Sequence, residues 1–358
     1  MIYDHKFLLE FTTEIFMRVG CSRDDAAAVA AVLVKAELRN HASHGMIRVR
    51  EYYELWKSGR VNVTPDVKVV HETPSTAVVD GDSCFGMVAG VRSMRLAIEK
   101  ASATGTGWVA ARNSNHFGIA GYYAMMALEH EMVGITVTNA NPLVVPTFSV
   151  SRLLGTNPLA VAVPAMDEPP FVADFATTPI ARGKLAVSEK KGEKVPTGYV
   201  QDAKGNPSDD PGILRRGGGM VTLGGDRLHG SHKGYCMSAV VDIFSALFSG
   251  ANFGPFVPPS VAYLPVPVNQ PGMGTGHFFG AMKIDAFRPA REFREAMDHW
   301  IRTFRNAKPT RGEERVLIPG DPEREAEKHN LASGIGLVPA VVEDLRAIAA
   351  ELGFEFRQ

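Results

Sequence analysis

Apolar side chains recur at helical spacing through the first sixty residues. Phe7, Leu8, Phe11, Ile15 and Phe16 precede Gly20, and Ser22-x-x-Asp25 opens an Ala/Val/Leu-rich run as a capping box. A third helix is predicted from about Ser43 to Ser58, with Ile47, Tyr52, Leu55 and Trp56 as packing positions and Gly59 as its stop. From Thr76 the texture changes to short β-rich runs alternating with helices. Thr76 to Asp80, Trp108 to Ala111, Val133 to Thr138, Leu159 to Val163 and Phe171 to Asp174 read as buried strands. The polar stretch Lys190 to Arg216 reads as a long surface connection able to cover a site. Residues 234 to 249 make a mostly apolar helix, expected to be buried. A Pro- and Gly-rich loop, Phe253 to Gly276, leads to a strand from His277 to Ile284. A charged helix from Ala290 to Asn306 follows, then two closing helices near 322 to 332 and 339 to 352. No period of 20 to 50 residues repeats, which excludes a solenoid.

This is an α/β or α+β pattern, and 358 residues allow roughly two domains at about 150 residues each. Hydrophobic residues make up 45% and charged residues 22%, as in a globular chain rather than a disordered or coiled-coil one. Lys and Arg number 38 against 39 Asp and Glu, so no positive field draws the chain to nucleic acid or an anionic membrane. The three cysteines, Cys21, Cys84 and Cys236, form no Cys-x-x-Cys pair, which suits a reducing cytoplasm. Charged residues occupy the first ten positions and no 18-residue apolar run occurs, so neither export nor membrane insertion is expected.

Chemistry enters at Ser43-His44-Gly45-Met46-Ile47-Arg48 and Tyr52. On one helix, His44, Arg48 and Tyr52 at spacings of four would line a stripe about 12 Å long. Such a stripe offers a proton-transfer group, a bidentate carboxylate clamp and a phenol, a set suited to a small hydroxy or keto acid. A structural reading stands beside it, in which Arg48 pairs with Glu51 and Tyr52 packs. Asn113-Ser114-Asn115-His116-Phe117-Gly118 follows a strand and precedes a helix, making His116 a second candidate acid or base. The turns around Asn139 and at Gly155-Thr156-Asn157-Pro158 are ordinary turn chemistry taken alone. His229 to Tyr235 supplies glycines, a lysine and free amides at a helix start, the ingredients of an anion site. No Gly-x-Gly-x-x-Gly joins a strand to a helix, so neither a Rossmann fingerprint nor a P-loop is visible. A metal site at His41, His44 and His116 is the rival chemistry, and no His-Glu-x-x-His or carboxylate cluster supports it.

Taken in order, these motifs resemble one family, the malate/L-lactate dehydrogenases that include sulfolactate dehydrogenase. The resemblance runs from about Glu37 to Pro322. Its carriers are Ser43-His44-Gly45 with Arg48 and Tyr52, Ser114 to Gly118, Thr138-Asn139, Leu154 to Pro158, Asp174 to Thr177, Gly183-Lys184, and His232 to Tyr235. The resemblance implies a non-Rossmann NAD(P)-binding domain with a largely antiparallel sheet wrapped by helices (76–314). It further implies a helical domain built from both chain ends (1–75 with 315–358), usually in a homodimer. It places Ser43, His44, Arg48, Tyr52 and His116 at the substrate. Asn139, Thr156, Asp174, Ala176, Thr177, Lys184, His232, Lys233, Gly320, Asp321 and Pro322, together with His116, fall to the cofactor. The sequence departs from relatives at Phe148-Ser149, where Gly-Gly is frequent, at Cys236, where Gly is, and at Asp321, where Glu is.

The expected reaction is reversible hydride transfer between NAD, or NADP, and C2 of a small 2-hydroxy or 2-keto acid, with no nucleic-acid or membrane partner. Arg48 would hold the carboxylate and His116 would accept the hydroxyl proton, with His44 as partner or alternate acid, because a helix start disfavours a charged His44. An acidic Asp174 favours NAD and Arg182 would favour NADP. The nearest alternatives are cyclic imine (piperideine-2-carboxylate) reduction, diketogulonate reduction and ureidoglycolate oxidation. A metal-dependent hydrolase and a non-catalytic nucleotide sensor are more remote.

Overall fold

The computed structural model describes residues 1–259 and 270–357. A short strand, β1 (Ile2–Tyr3), leads into α1 (His5–Val19), which opens where Asp4 accepts the free N–H groups of Lys6 and Phe7. It ends at Gly20, whose φ of 113° is backbone that a side chain would strain. Helix α2 (Arg23–Leu38) opens on the expected cap, Ser22 Oγ accepting the Asp25 N–H at 3.2 Å. The predicted third helix needs correction. A single 3-10 turn, Ala42–His44, precedes α3 (Arg48–Lys57), so His44 does not share a helix with Arg48 and Tyr52. Glu37 explains the break. Its carboxylate accepts the Met46 N–H at 2.7 Å and fills the space beside Gly45, where a Cβ would lie 2.3 Å from it. Ile47, expected to pack, is exposed.

The middle of the chain builds β2 (Lys68–Glu72), β3 (Thr76–Asp80), α4 (Gly86–Thr104), β4 (Thr106–Ser114), α5 (Ala120–Met126) and β5 (Met132–Thr138). After β6 (Val144–Val145) come β7 (Leu159–Val163), β8 (Phe171–Phe175), α6 (Arg182–Lys191), β9 (Val200–Gln201), β10 (Pro207–Ser208), β11 (Gly219–Val221) and α7 (Ser231–Asp242). Strand β12 (Thr275–Lys283) and helix α8 (Ala290–Arg305) precede α9 (Asp321–Ser333), β13 (Ile335–Gly336) and α10 (Pro339–Glu351). The main sheet has seven strands in the order β2-β3-β4-β12-β5-β7-β8, antiparallel at every seam except β3–β4. β12, late in sequence, is its centre, pairing β4 on one side and β5 on the other.

Helices of both chain ends and the sheet share one core, in which Phe16, Leu33, Met94, Val109, Phe279 and Leu345 are buried. Strand β1 pairs with β13, tying the ends together. Close helix–sheet approach depends on Gly107, where a Cβ would stand 1.9 Å from the Ala97 carbonyl. A smaller core of Val144, Leu185, Val200 and Met220 underlies a second sheet, β10-β9-β11-β6.

Two further expectations are corrected. Lys190 to Arg216 carries the end of α6, a β9–β10 hairpin and a 3-10 turn, because Val195, Val200 and Ile213 anchor it to that small core. The apolar helix is α7 running into a π-helical turn, Ile243–Leu247, and it is buried on one face only. Val240, Leu247 and Phe248 are 48%, 60% and 58% exposed. Residues 260–269 of the Phe253 to Gly276 loop lie outside the described residues. Among the described residues no helix is long and apolar enough to cross a membrane.

Candidate active site

The site forms where the ends of β4 and β5 meet the 3-10 turn and α3. The loop after β4 turns His116 toward α3, and Tyr52 Oη lies 2.6 Å from His116 Nδ1. The Gly118 N–H, which can only donate, points at the same nitrogen from 3.3 Å. In the neutral ring this network assigns the proton to Nε2. His44, delivered by the separate turn, stacks on His116 with ring centroids 5.4 Å apart and planes 20° from parallel. Ser43 Oγ lies 2.9 Å from His44 Nδ1. The Nε2 atoms of both rings have no partner among the described residues.

Burial pushes His44 down to about 3, with Arg48 and His41 adding positive charge nearby. The same desolvation, with Arg48, His44 and His277 close by, holds His116 well below the usual imidazole range. The cause is burial rather than a helix start, because His44 precedes the helix. Burial also raises the Tyr52 phenol, so it stays protonated. Arg48 donates from Nε to the Ser43 carbonyl at 2.7 Å and pairs with Glu51, one turn along α3. The pairing anticipated as a structural reading is present, and Arg48 still lines the pocket with His44, Tyr52, His116 and Asn139.

Buried polar groups brace this pocket. Asn139 donates to Asp242 and to the Asn252 carbonyl at 3.0 and 2.8 Å, and accepts the Gly276 N–H at 3.1 Å. Thr156 lines the pocket and its carbonyl accepts both the N–H and the hydroxyl of buried Thr177. Three residues that sequence reasoning missed also matter. Glu37 shapes the His44 turn, its carboxyl pushed up to about 7 by burial. His277, fully buried on β12, lies 2.7 Å from Thr138 Oγ1 and 2.8 Å from Ser114 Oγ, joining β5, β12 and β4 where the site loops leave the sheet. Its ring stacks on Phe117 at 4.6 Å. Arg60, one residue past the stop of α3, lines the pocket and donates to Asn115 Oδ1 at 3.1 Å. A charged residue in the apolar run of α2 and a lone histidine in a strand were the available signals, and both have commoner explanations in a core.

A second cleft opens on the far side of the 116–121 segment. Gly118 lines the first pocket and Gly121 lines this one, whose walls include Asp174, Phe175, Gly320, Pro322, Arg39 and Glu323. Asp174 Oδ2 accepts the Gly121 N–H at 2.8 Å, and its other oxygen takes no hydrogen bond among the described residues. An open carboxylate oxygen beside Gly121, in the first turn of α5, and the loop residue Gly320 suits the hydroxyls and backbone-hugging phosphates of a dinucleotide. Ala176, half-buried, continues from Asp174 toward Thr177 and hence toward Thr156. Asp321 instead turns inward at 2% exposure. It accepts the Ile318 N–H and pairs with Arg324 and Arg305, so it holds the loop that presents Gly320. His232 and Lys233 sit at the start of α7 beside a third cavity lined by Ser231, Arg227 and Thr222, outside both clefts. Lys184 is exposed on α6, while its neighbour Gly183 packs against Ser43. Cys236 is exposed rather than packed inside its helix.

Two imidazoles, a phenol and a guanidinium share one pocket, with a second cleft of about 420 Å³ beyond it, a set with the groups to hold a small polar acid and move a proton. Comparison with known proteins agrees. A profile of the malate/L-lactate dehydrogenase family matches residues 3–346. The malate dehydrogenase of Pyrococcus abyssi is 40% identical over 347 residues, 97% of this chain and 93% of that one. The L-sulfolactate dehydrogenase of Methanocaldococcus jannaschii is 36% identical over 340 residues, covering 95% and 94%. The structure of malate dehydrogenase from Pyrococcus horikoshii OT3 superposes with a TM-score of 0.90 at 38% identity, over 99% of this chain and 96% of that one. The chain belongs to the malate/L-lactate dehydrogenase family. It is a hydroxy acid dehydrogenase acting on CH–OH groups, and family membership implies a nicotinamide cofactor.

Proposed function

We propose that this protein interconverts a small 2-hydroxy acid and its 2-keto acid with NAD, with His116 as the proton-transfer group and Arg48 as the carboxylate clamp. The observation that carries the reading is the Tyr52–His116 contact at 2.6 Å inside a pocket shared with His44 and Arg48. Nicotinamide supplies or takes the hydride when bound. The chain orients the acid and moves one proton.

In oxidation His116 takes the hydroxyl proton at Nε2, which requires the tautomer with its proton on Nδ1. Tyr52, whose hydroxyl both donates and accepts, follows the ring between the two tautomers, whereas Gly118 favours only one. His44 stacks over the same ring and contributes a second nitrogen for the substrate oxygen. Arg48 keeps Nη2 for the carboxylate while Nε stays fixed on Ser43.

For the cofactor, Asp174 and Glu323 line the second cleft, Arg182 does not, and the arginine that does, Arg39, is paired with Glu327 at 3.0 Å, which supports NAD over NADP. The half-exposed apolar face of α7, continued by Phe244 and Phe248 packed on Phe278, supports a homodimer. Following NADH and NADPH consumption with pyruvate, oxaloacetate and sulfopyruvate tests the reading directly. Turnover that is equal in wild type and in both His116→Ala and His44→Ala would reject the proton-transfer scheme. A preference for NADPH would reject the role of Asp174.

A further inference from the structure

The pocket contains two guanidinium groups in different electrostatic states. Arg48 is already paired with Glu51, whose side chain is 40% exposed and can turn to solvent when a substrate carboxylate takes its place. Arg60, on the same pocket wall, has no carboxylate partner among the described residues. Its hydrogen bonds among the described residues go to neutral oxygens, Asn115 Oδ1 and the Pro259 carbonyl, which aim the group without cancelling its charge. The aim is rigid. Asn115 is 4% exposed and donates its amide to the Ser83 and Cys84 carbonyls at 3.1 and 2.9 Å, so the oxygen is the end left for Arg60. Burial without a counter-charge draws the Arg60 guanidinium down to about 10, the signature of a cation that an arriving anion would stabilise. Among the described residues Nη2 has no hydrogen-bond partner.

We propose that Arg60 is a specificity-determining residue that holds a second anionic group, carboxylate or sulfonate, at the far end of the substrate while Arg48 holds the carboxylate beside the reacting carbon. The inference rests on the hydroxy acid reading above and adds to it the residue that selects dianionic over monoanionic 2-hydroxy and 2-keto acids. Geometry favours this division of labour. Arg48 is bonded to Ser43, next to His44, whereas Arg60 is held by different anchors, the buried Asn115 and the Pro259 carbonyl. A substrate with an uncharged tail leaves Arg60 desolvated and unanswered, which is how a pocket discriminates against it.

The test compares Arg60→Gln and Arg60→Lys with wild type. The ratio of kcat/KM for oxaloacetate or sulfopyruvate over pyruvate or 2-oxobutyrate should fall by about 30-fold in Arg60→Gln and recover in part in Arg60→Lys. The carboxylate and sulfonate arms show which anion the wild-type site prefers. An equal loss for monoanions and dianions would assign Arg60 to loop structure or to the reacting carboxylate and overturn the proposal. Binding is measured in parallel, because it does not depend on turnover. Succinate should bind the NADH-loaded protein more weakly in Arg60→Gln by about tenfold, while butyrate loses much less. Unchanged succinate binding overturns the proposal even if every keto acid is reduced. Conversely, weakened succinate binding in a protein that reduces none of these acids would uphold the dianion site and reject the hydroxy acid reading.

Discussion

At the residue scale the site depends on keeping imidazoles neutral in a buried pocket, and pH dependence follows with a definite sign. His44 falls to about 3 and His116 lies well below the usual range, so both remain proton acceptors far into acid. Oxidation should therefore keep its kcat/KM as pH falls through 6.5, where a solvated histidine would already be charged. Reduction consumes a proton and should accelerate as pH falls. A pH profile of each direction checks this, and an acid limb for oxidation centred near 6.5 would contradict it. Tyr52→Phe removes the group that follows the His116 tautomer and should cut kcat by about 10- to 100-fold, with a smaller effect on KM. Stopped-flow and steady-state rates separate the two.

Among elements, the informative failures of the sequence pattern cluster around His44. Spacing of four between His44, Arg48 and Tyr52 suggested one helical stripe. The residues do converge, but through a turn and a helix set apart by Glu37 against Gly45. Nothing local in the sequence announces that contact, since Glu37 lies nine residues from the Met46 N–H it accepts. The strands were legible because their apolar runs are short and bounded. Within the seven-stranded sheet the exception was Lys68–Glu72, an edge strand exposed throughout, whose alternation carries no burial signal. His277 was hidden for a similar reason, because its role comes from β12 inserting between β4 and β5. The site loop also leans on α4. A Cβ at Gly86 would lie 2.1 Å from the Asn115 carbonyl and 2.5 Å from that of His116. Gly86→Ala should thus cost about 1 to 3 kcal/mol of stability and lower turnover together. Gly336→Ala, with nothing within 4 Å, should stay within about 0.5 kcal/mol, as thermal unfolding can show.

For the whole molecule, one buried and two half-buried imidazoles bias stability against acid. Folded His44 and His277 titrate near 3 and His116 well below 6.5, whereas the unfolded rings titrate near 6.5. The unfolded chain therefore binds more protons between those values, and stability falls as pH drops from 6.5 toward 3. Glu37, raised to about 7 from 4.5, acts oppositely over pH 4.5 to 7, joined by Asp174 and Asp242, which burial also raises, while the lowered Asp80, Asp298 and Glu327 act with the rings. Denaturant unfolding at a series of pH values should show rising stability up to about 6.5. The α7 face belongs to this scale too. The hydrophobic count of residues 234 to 249 suggested a buried helix, and the chain covers only one side of it. Sedimentation velocity should give a dimer at micromolar protein, and Leu247→Glu should shift it to monomer. A monomeric wild type would remove the proposed interface.

The segment 116–121 has a final consequence. It is the common wall of both clefts, with His116 and Gly118 facing one and Gly121 bonded to Asp174 in the other. A dinucleotide engaging Asp174 would therefore stiffen the backbone on which His116, the proposed acid–base group, rides five residues away. Filling order matters in such an arrangement. Nucleotide entering first completes the bench on which the acid is held, and acid entering first meets a wall not yet set. Initial-rate patterns should accordingly be those of a compulsory sequence, nucleotide leading and nucleotide leaving last.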